Sequence, residues 1–316
     1  MQRALADKQL TTPKESEFMP SSSKQTEQIA TWKQAFRDET TGIHKTVRDL
    51  IWNYAAFRTT IRIVRLANEK REEHPRLNQM LFDLISDGYW SSLLVGIRRL
   101  LDKGPIKGPK GVYSIRSVVK DVEQSRPWLT RRKYIEEVLE ARYDLTPMLE
   151  EQHQRLIAAK GAATWGDPDL FRSEIAHEQF DFLSGVLPTD RRADDLIDPA
   201  VLARIEKRLA SLDTIGDHVN SHLAHAGNHE SRQGKSLANF DIRDAQRALR
   251  ELKQISDLTG VWFANEGGGG LATFIGDQFA GLDEPLVDTE QIAQLLEHWR
   301  EIDREVANWS ITPKEL

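Results

Sequence analysis

The sequence predicts an all-α fold, an antiparallel bundle of long helices, on three observations. Apolar residues recur at spacings of three and four along most of the chain. No stretch sustains the apolar–polar alternation of a half-buried strand. The breaks between helical stretches fall at glycine, proline and capping serine, threonine or aspartate residues.

Residues 1–25 are polar, end in PSSSKQ and are expected to form a mobile arm. Thr26 opens a helical pattern through Ile29, Trp32 and Phe36, with a break at Thr40–Gly42. The pattern resumes with Ile43, Val47, Ile51, Tyr54, Phe57 and Ile61. Pro75 is expected to start the next helix, 76–103, which is apolar over a wide face and therefore central. Arg98 and Arg99 near its end are expected to be exposed, because arginine is rarely buried without a partner. KGPIKGPKG, 103–111, lacks the pattern of a phosphate loop and is expected to be a solvated loop. Ser114 caps a short helix to Asp121. Residues 128–160 read as one long helix that Pro147 either kinks or restarts.

Residues 161–198 are the least regular part, an insertion with one helix at 169–183. Asp198 and Pro199 have the N-cap and first-turn chemistry of a helix start. The run PAVLARIEKRLASLDTIG continues that pattern, so one long helix is expected to carry the segment that follows. Asp241 caps a helix over 242–264. Four glycines after Glu266 make a joint, 271–280 reads as a short helix, and 289–309 is a final helix. The expected organisation is the arm 1–25, a bundle over 26–265 containing the insertion, and a C-terminal helical extension over 266–316.

The chain has 316 residues, enough for a sizeable core, with 39% hydrophobic and 29% charged residues. Its net charge of −6 argues against a polybasic nucleic-acid binder, so an RNA site must be a local patch. There is no cysteine, which excludes disulfides and thiolate-bound metals and makes a cytoplasmic setting the expectation. No apolar run is long enough to span a membrane.

Residues 213–230, DTIGDHVNSHLAHAGNHE, hold four of the nine histidines. His218, His222, His225 and His229 are spaced 4, 3 and 4, one stripe on a helix, with Asn220 beside them. Gly227-Asn228 is a stop signal. The stripe admits three readings. It is a polar helix face near a loop. It is a metal site, against which stand the absence of HExxH and of a carboxylate at the ligand spacing. Or it is a ribonuclease-like site in which histidine is general acid or base and a neighbouring polar residue orients it. A di-iron bundle would need Glu-x-x-His pairs, and Glu72-Glu73-His74 and Glu151-Gln152-His153 have the wrong spacing. No metal and no cofactor is expected.

DGYWSSLLVGIRRLLDK, SIRSVVKDV, HVNSHLAHAG and FDIRDAQRALRELKQISDL, in that order, resemble the AbiU2-like branch of the HEPN superfamily. The resemblance implies a helical bundle that dimerises, in a family rich in metal-independent ribonucleases of phage-defence and toxin–antitoxin systems. Its motif is an arginine, often followed by asparagine, then four to six residues to a histidine. His225 matches the histidine and Asn220 the polar residue, but Val219 stands where the arginine belongs. Losing such a donor costs about 10²–10³ in rate. Arg98 or Arg99, or protonated His218 or His222, are the candidate replacements. The expected partners are RNA, a second copy of the chain, and a cognate antitoxin or defence protein. The alternative is a non-catalytic helical scaffold.

Overall fold

A computed structural model describes residues 22–69, 77–159, 166–223, 228–237, 239–271, 277, 279–282, 284 and 289–307. Among the described residues there are twelve α-helical segments and no strand. The all-α bundle expected from the periodicity is therefore the observed fold. The chain divides into two compact units, Met1–Leu271 and Ala272–Leu316.

In the first unit, α1 (Ser22–Arg37) begins four residues before Thr26, so the segment read as a mobile arm supplies the first helical turn. Asp38 ends α1 by accepting the backbone N–H groups of Thr40 and Thr41, which pulls its carboxyl below the usual carboxylate range. The turn at Thr40–Gly42 leads into α2 (Ile43–Asn68). Pro75 lies outside the described residues. Asn78 caps α3 (Gln79–Leu100), accepting from the Leu81 N–H. Ser114 and Ser117 form a reciprocal capping box at the start of α4 (Ile115–Ser125).

The single helix expected over 128–160 is three pieces. Thr130 makes an isolated antiparallel bridge with Leu196, and α5 (Arg131–Lys133) widens into a π turn over Tyr134–Val138. Glu140 then takes a positive φ of 54°, which no helix interior accommodates, and the chain restarts as α6 (Thr146–Ala158) with Pro147 in its first turn. Asp167 caps α7 (Pro168–Ser184), which Gly185 ends at φ 70°. Asp198 caps α8 (Pro199–Ala210), accepting from the Ala200 N–H at 2.9 Å.

The long helix expected from Pro199 onward also breaks. Ser211 and Leu212 turn the chain, and α9 (Asp213–His218) is a separate short helix running into a second π turn, Val219–Leu223. Asn228 then caps α10 (His229–Arg232). Finally α11 (Ile242–Ala264) has a capping box of Asp241 and Asp244 and stops at Asn265, φ 55°. It is the organising helix, in contact with α1, α2, α3, α4 and α8.

The core is apolar and continuous. Trp32, Phe36, Ile97, Leu129 and Phe263 are almost fully buried in it. Trp32 stacks on Trp128 and donates its indole N–H to Asp121 at 2.6 Å. Among the described residues two guanidinium groups are buried, and each pairs with two carboxylates. Arg131 bonds Asp181 and Asp195, tying α5 to α7 and the segment before α8. Arg116 bonds Glu206 and Asp213, tying α4 to α8 and to the start of α9.

In the second unit, α12 (Thr289–Ala307) exposes Ile292, Leu295, Leu296, Trp299 and Ile302 along one stripe. Most of the segment over 271–280, where a short helix is expected, lies outside the described residues; Leu271 is in a bend and Phe279 and Ala280 are in turns. No helix among the described residues is long and apolar enough to cross a membrane.

Candidate functional site

The site begins with the last turn of α3. Ile97 and Leu100 are buried there, which fixes the rotation of the helix and turns Arg98 toward α9 and its π turn, both in contact with α3. Gly216 stands where α9 meets the aliphatic stem of Arg98. The Arg98 Nε–H donates to the Asn220 side-chain oxygen at 2.7 Å, and its Nη1 lies 3.6 Å from Asp102 Oδ2. Arg98 is therefore half-buried and partnered, not a freely solvated side chain. Arg99 is exposed as expected, with its Nη2 donating to the Thr41 carbonyl at 3.2 Å.

Val219 is fully buried, so the position of the motif arginine is a core position here and points away from any solvent-borne substrate. The π turn explains how its neighbours remain accessible. It widens the helix just after His218, leaving Val219 and Ser221 inward, Asn220 exposed and His222 half-buried.

His218 and His222 stack with ring centroids 4.4 Å apart and planes 17° from parallel. Ser221 Oγ donates to the Asp217 carbonyl at 2.8 Å. Its single proton is spent there, so the 2.8 Å contact with His222 Nδ1 is a bond donated by the imidazole N–H. In the neutral ring that tautomer leaves the lone pair on His222 Nε2. His218 Nδ1 faces the Lys235 carbonyl at 3.2 Å and the Leu237 N–H at 3.3 Å. Burial pushes the His218 imidazole below its ordinary value; the Lys235 carbonyl opposes that shift and the neighbouring His222 adds to it. Of the candidate cations, the arginines are the ones that stay charged at neutral pH whatever their surroundings. Each histidine has its Nδ1 engaged by the protein, so a metal would have to be held through the two Nε2 atoms.

His225 lies outside the described residues. The four-histidine stripe does not survive: Asn228 is extended and His229 starts α10, a different helix from the one carrying His218. Two residues that sequence reasoning passed over join the site. Ser221 sets the His222 tautomer, and Arg232 donates to the Ser221 carbonyl at 3.4 Å. The only sequence signal for either was proximity to the histidines.

The site is seated by charge. Asp213, in the first turn of α9, is bonded to Arg116 and lies 3.7 Å from Lys103. Those two cations hold its carboxyl below the usual range against the opposing effect of burial.

The arrangement presents a guanidinium, an amide and an imidazole base within one helical turn and its neighbour. A family model described as AbiU2, a HEPN family, matches residues 33–248, more than half of the chain and including every site residue named above. No curated protein and no solved structure matches the chain.

Proposed function

The chain belongs to the AbiU2 family of HEPN domains, helical domains of the abortive-infection type, and from that premise we propose that it is a metal-independent endoribonuclease of a phage-defence or toxin–antitoxin system. The observation that carries the reading is the Arg98–Asn220 bond. It supports a cation contributed by α3 in place of the arginine that Val219 lacks. The guanidinium has five donors, and the contacts to Asn220 and Asp102 use Nε and Nη1.

The chemistry is phosphodiester transesterification. A base removes the proton from the 2′-hydroxyl, the 2′-oxygen forms a bond to phosphorus, and the bond to the 5′-oxygen breaks as an acid protonates it. His222 Nε2 is the base that the local tautomer supports, and His225, which matches the family motif, is the acid. Arg98 faces the charge that grows on the non-bridging oxygens, where a fixed guanidinium stabilises the transition state more than the ground state. Asn220 keeps the guanidinium in place. The working unit is a homodimer under the control of a cognate antitoxin or defence partner.

Expression in a bacterial host tests the reading. Growth arrest with RNA breakage, both relieved by His225→Ala, is expected. Equal growth of cells expressing the native and His225→Ala chains, with intact RNA in both, would sink it. A second reading, a non-catalytic interaction protein, draws on the exposed apolar stripe of α12, which is shaped for a protein partner.

A further inference from the structure

His218 and His222, four positions apart, form a pair whose ring centroids are 4.4 Å apart and whose planes lie 17° from parallel. Two metal–imidazole bonds of about 2.0–2.1 Å bridge donor atoms up to about 4 Å apart. The separation of the two rings is on that scale. Both residues are half-buried, open enough for a small ion to reach.

Each ring is also oriented from behind. The His222 Nδ1–H donates to Ser221 Oγ at 2.8 Å, and the Lys235 carbonyl stands 3.2 Å from His218 Nδ1. A ligating histidine donates its other ring N–H to a neighbour in this way, which fixes the ring and leaves Nε2 for the ion. The Leu237 N–H, at 3.3 Å, competes for His218 Nδ1. A cation on Nε2 selects the form in which Nδ1 keeps the proton and donates to Lys235. Burial holds the His218 imidazole below its ordinary value, so at neutral pH it is in the uncharged form that a metal takes.

Among the described residues no third histidine or carboxylate completes a cluster. The other coordination positions fall to water, which makes a bound ion exchangeable rather than structural. The donors select its class. Imidazole suits zinc, copper and nickel, whereas magnesium and calcium prefer oxygen.

We propose that His218 and His222 chelate one divalent transition-metal ion, of the zinc, nickel and copper class, through their Nε2 atoms, and that this ion switches the site off. The metal takes the lone pair of His222 Nε2 that otherwise accepts a proton. With Nδ1–H bonded to Ser221 and Nε2 bonded to the ion, the ring has no free position for a proton. The switching rests on the function proposed above; the chelation does not.

Calorimetry on the full chain, first stripped with a chelator, tests the pair with zinc chloride and with magnesium chloride. One zinc ion per chain at the pair is expected, and none of magnesium. His218→Ala and His222→Ala are each expected to weaken zinc binding by more than about tenfold. Ser221→Ala, which removes only the group behind His222, is expected to weaken it by about tenfold. Electron paramagnetic resonance of the native chain with copper(II) counts the ligands without any variant, and coupling to two imidazole nitrogens is expected. Unchanged zinc binding in the double variant His218→Ala, His222→Ala, or copper held by fewer than two nitrogens, would overturn the proposal. Zinc is expected to stop RNA cleavage and a chelator to restore it, while the residual cleavage of His218→Ala resists the same zinc concentration. Cleavage undiminished with zinc on the pair overturns the switch. A native chain that binds zinc at the pair and cleaves no RNA removes only the ribonuclease reading.

Discussion

Arg98 and Asn220, 122 positions apart in sequence, are joined by a 2.7 Å hydrogen bond between the last turn of α3 and the π turn that follows α9. The bond places a permanent cation one residue from the buried Val219, and it defines what to mutate first. Arg98→Ala is expected to lower cleavage of a labelled RNA by about 10²–10³, the usual loss for one transition-state donor. Arg98→Lys is expected to recover only part, because an ammonium cannot hold Asn220 and a phosphate in one plane. Full activity in Arg98→Ala would show that the cation acts elsewhere.

His222 has a tautomer fixed by Ser221. His222→Ala is expected to abolish cleavage. Ser221→Ala, which leaves the imidazole free to exchange tautomers, is expected to reduce kcat by a smaller factor and leave KM near its native value. The pair of rate constants, measured at neutral pH, decides it; identical kinetics for Ser221→Ala and the native chain would remove Ser221 from the site.

Stability is expected to fall as pH drops from about 7 toward 5, around the ordinary histidine value. Burial pushes His44, His177 and His218 below that value. His177 donates from Nε2 to the Tyr143 carbonyl at 2.8 Å, while its buried Nδ1 has no partner, so the fold holds it neutral. The unfolded chain takes up protons that the folded chain refuses. The contribution is therefore complete above the unfolded value and is lost as pH falls toward the lowered folded values. The carboxyls of Asp181 and Asp213 are held low as well and add a separate loss at more acidic pH. Thermal unfolding across this range checks the first window, and His177→Gln is expected to flatten part of it. A melting temperature constant from pH 7 to pH 5 would contradict the assignment.

Arg131 is fully buried between Asp181 and Asp195. Arg131→Met is expected to destabilise the protein by about 3–5 kcal/mol, since two carboxylates are left without their counter-charge. Urea denaturation measures this. A loss below about 1 kcal/mol would mean that water reaches the carboxylates and screens them.

The parts of the fold that could be read from the sequence are those with local chemistry. Asp241, Asp198 and Ser114 stand where they were expected because an N-cap bonds its own first turn. The errors came where periodicity runs on through a break made by distant contacts. Val201, Leu202, Ile205, Leu209, Leu212 and Ile215 keep a helical rhythm across Ser211–Leu212, and all are buried. Yet the chain turns there, to meet α3 and the buried Arg116, neither of which is local. The same applies to Glu140, whose positive φ follows no sequence rule and whose carboxylate is bound by Lys33 of α1. In the site, Arg98 was one of several candidates from sequence. Its pairing with Asn220 is a tertiary fact. Buried Val219 is the clearest case, a residue whose inward direction depends on a π turn.

Asp213 opens the histidine helix, Arg116 grips it from α4, and Lys103 reaches it from just beyond the end of α3. One carboxylate is thus a shared anchor for two surfaces. Neutralising Lys103 leaves Arg116 as the remaining cation on that carboxylate. The start of the histidine helix is tethered from two sides, by a buried guanidinium and by a solvent-facing ammonium.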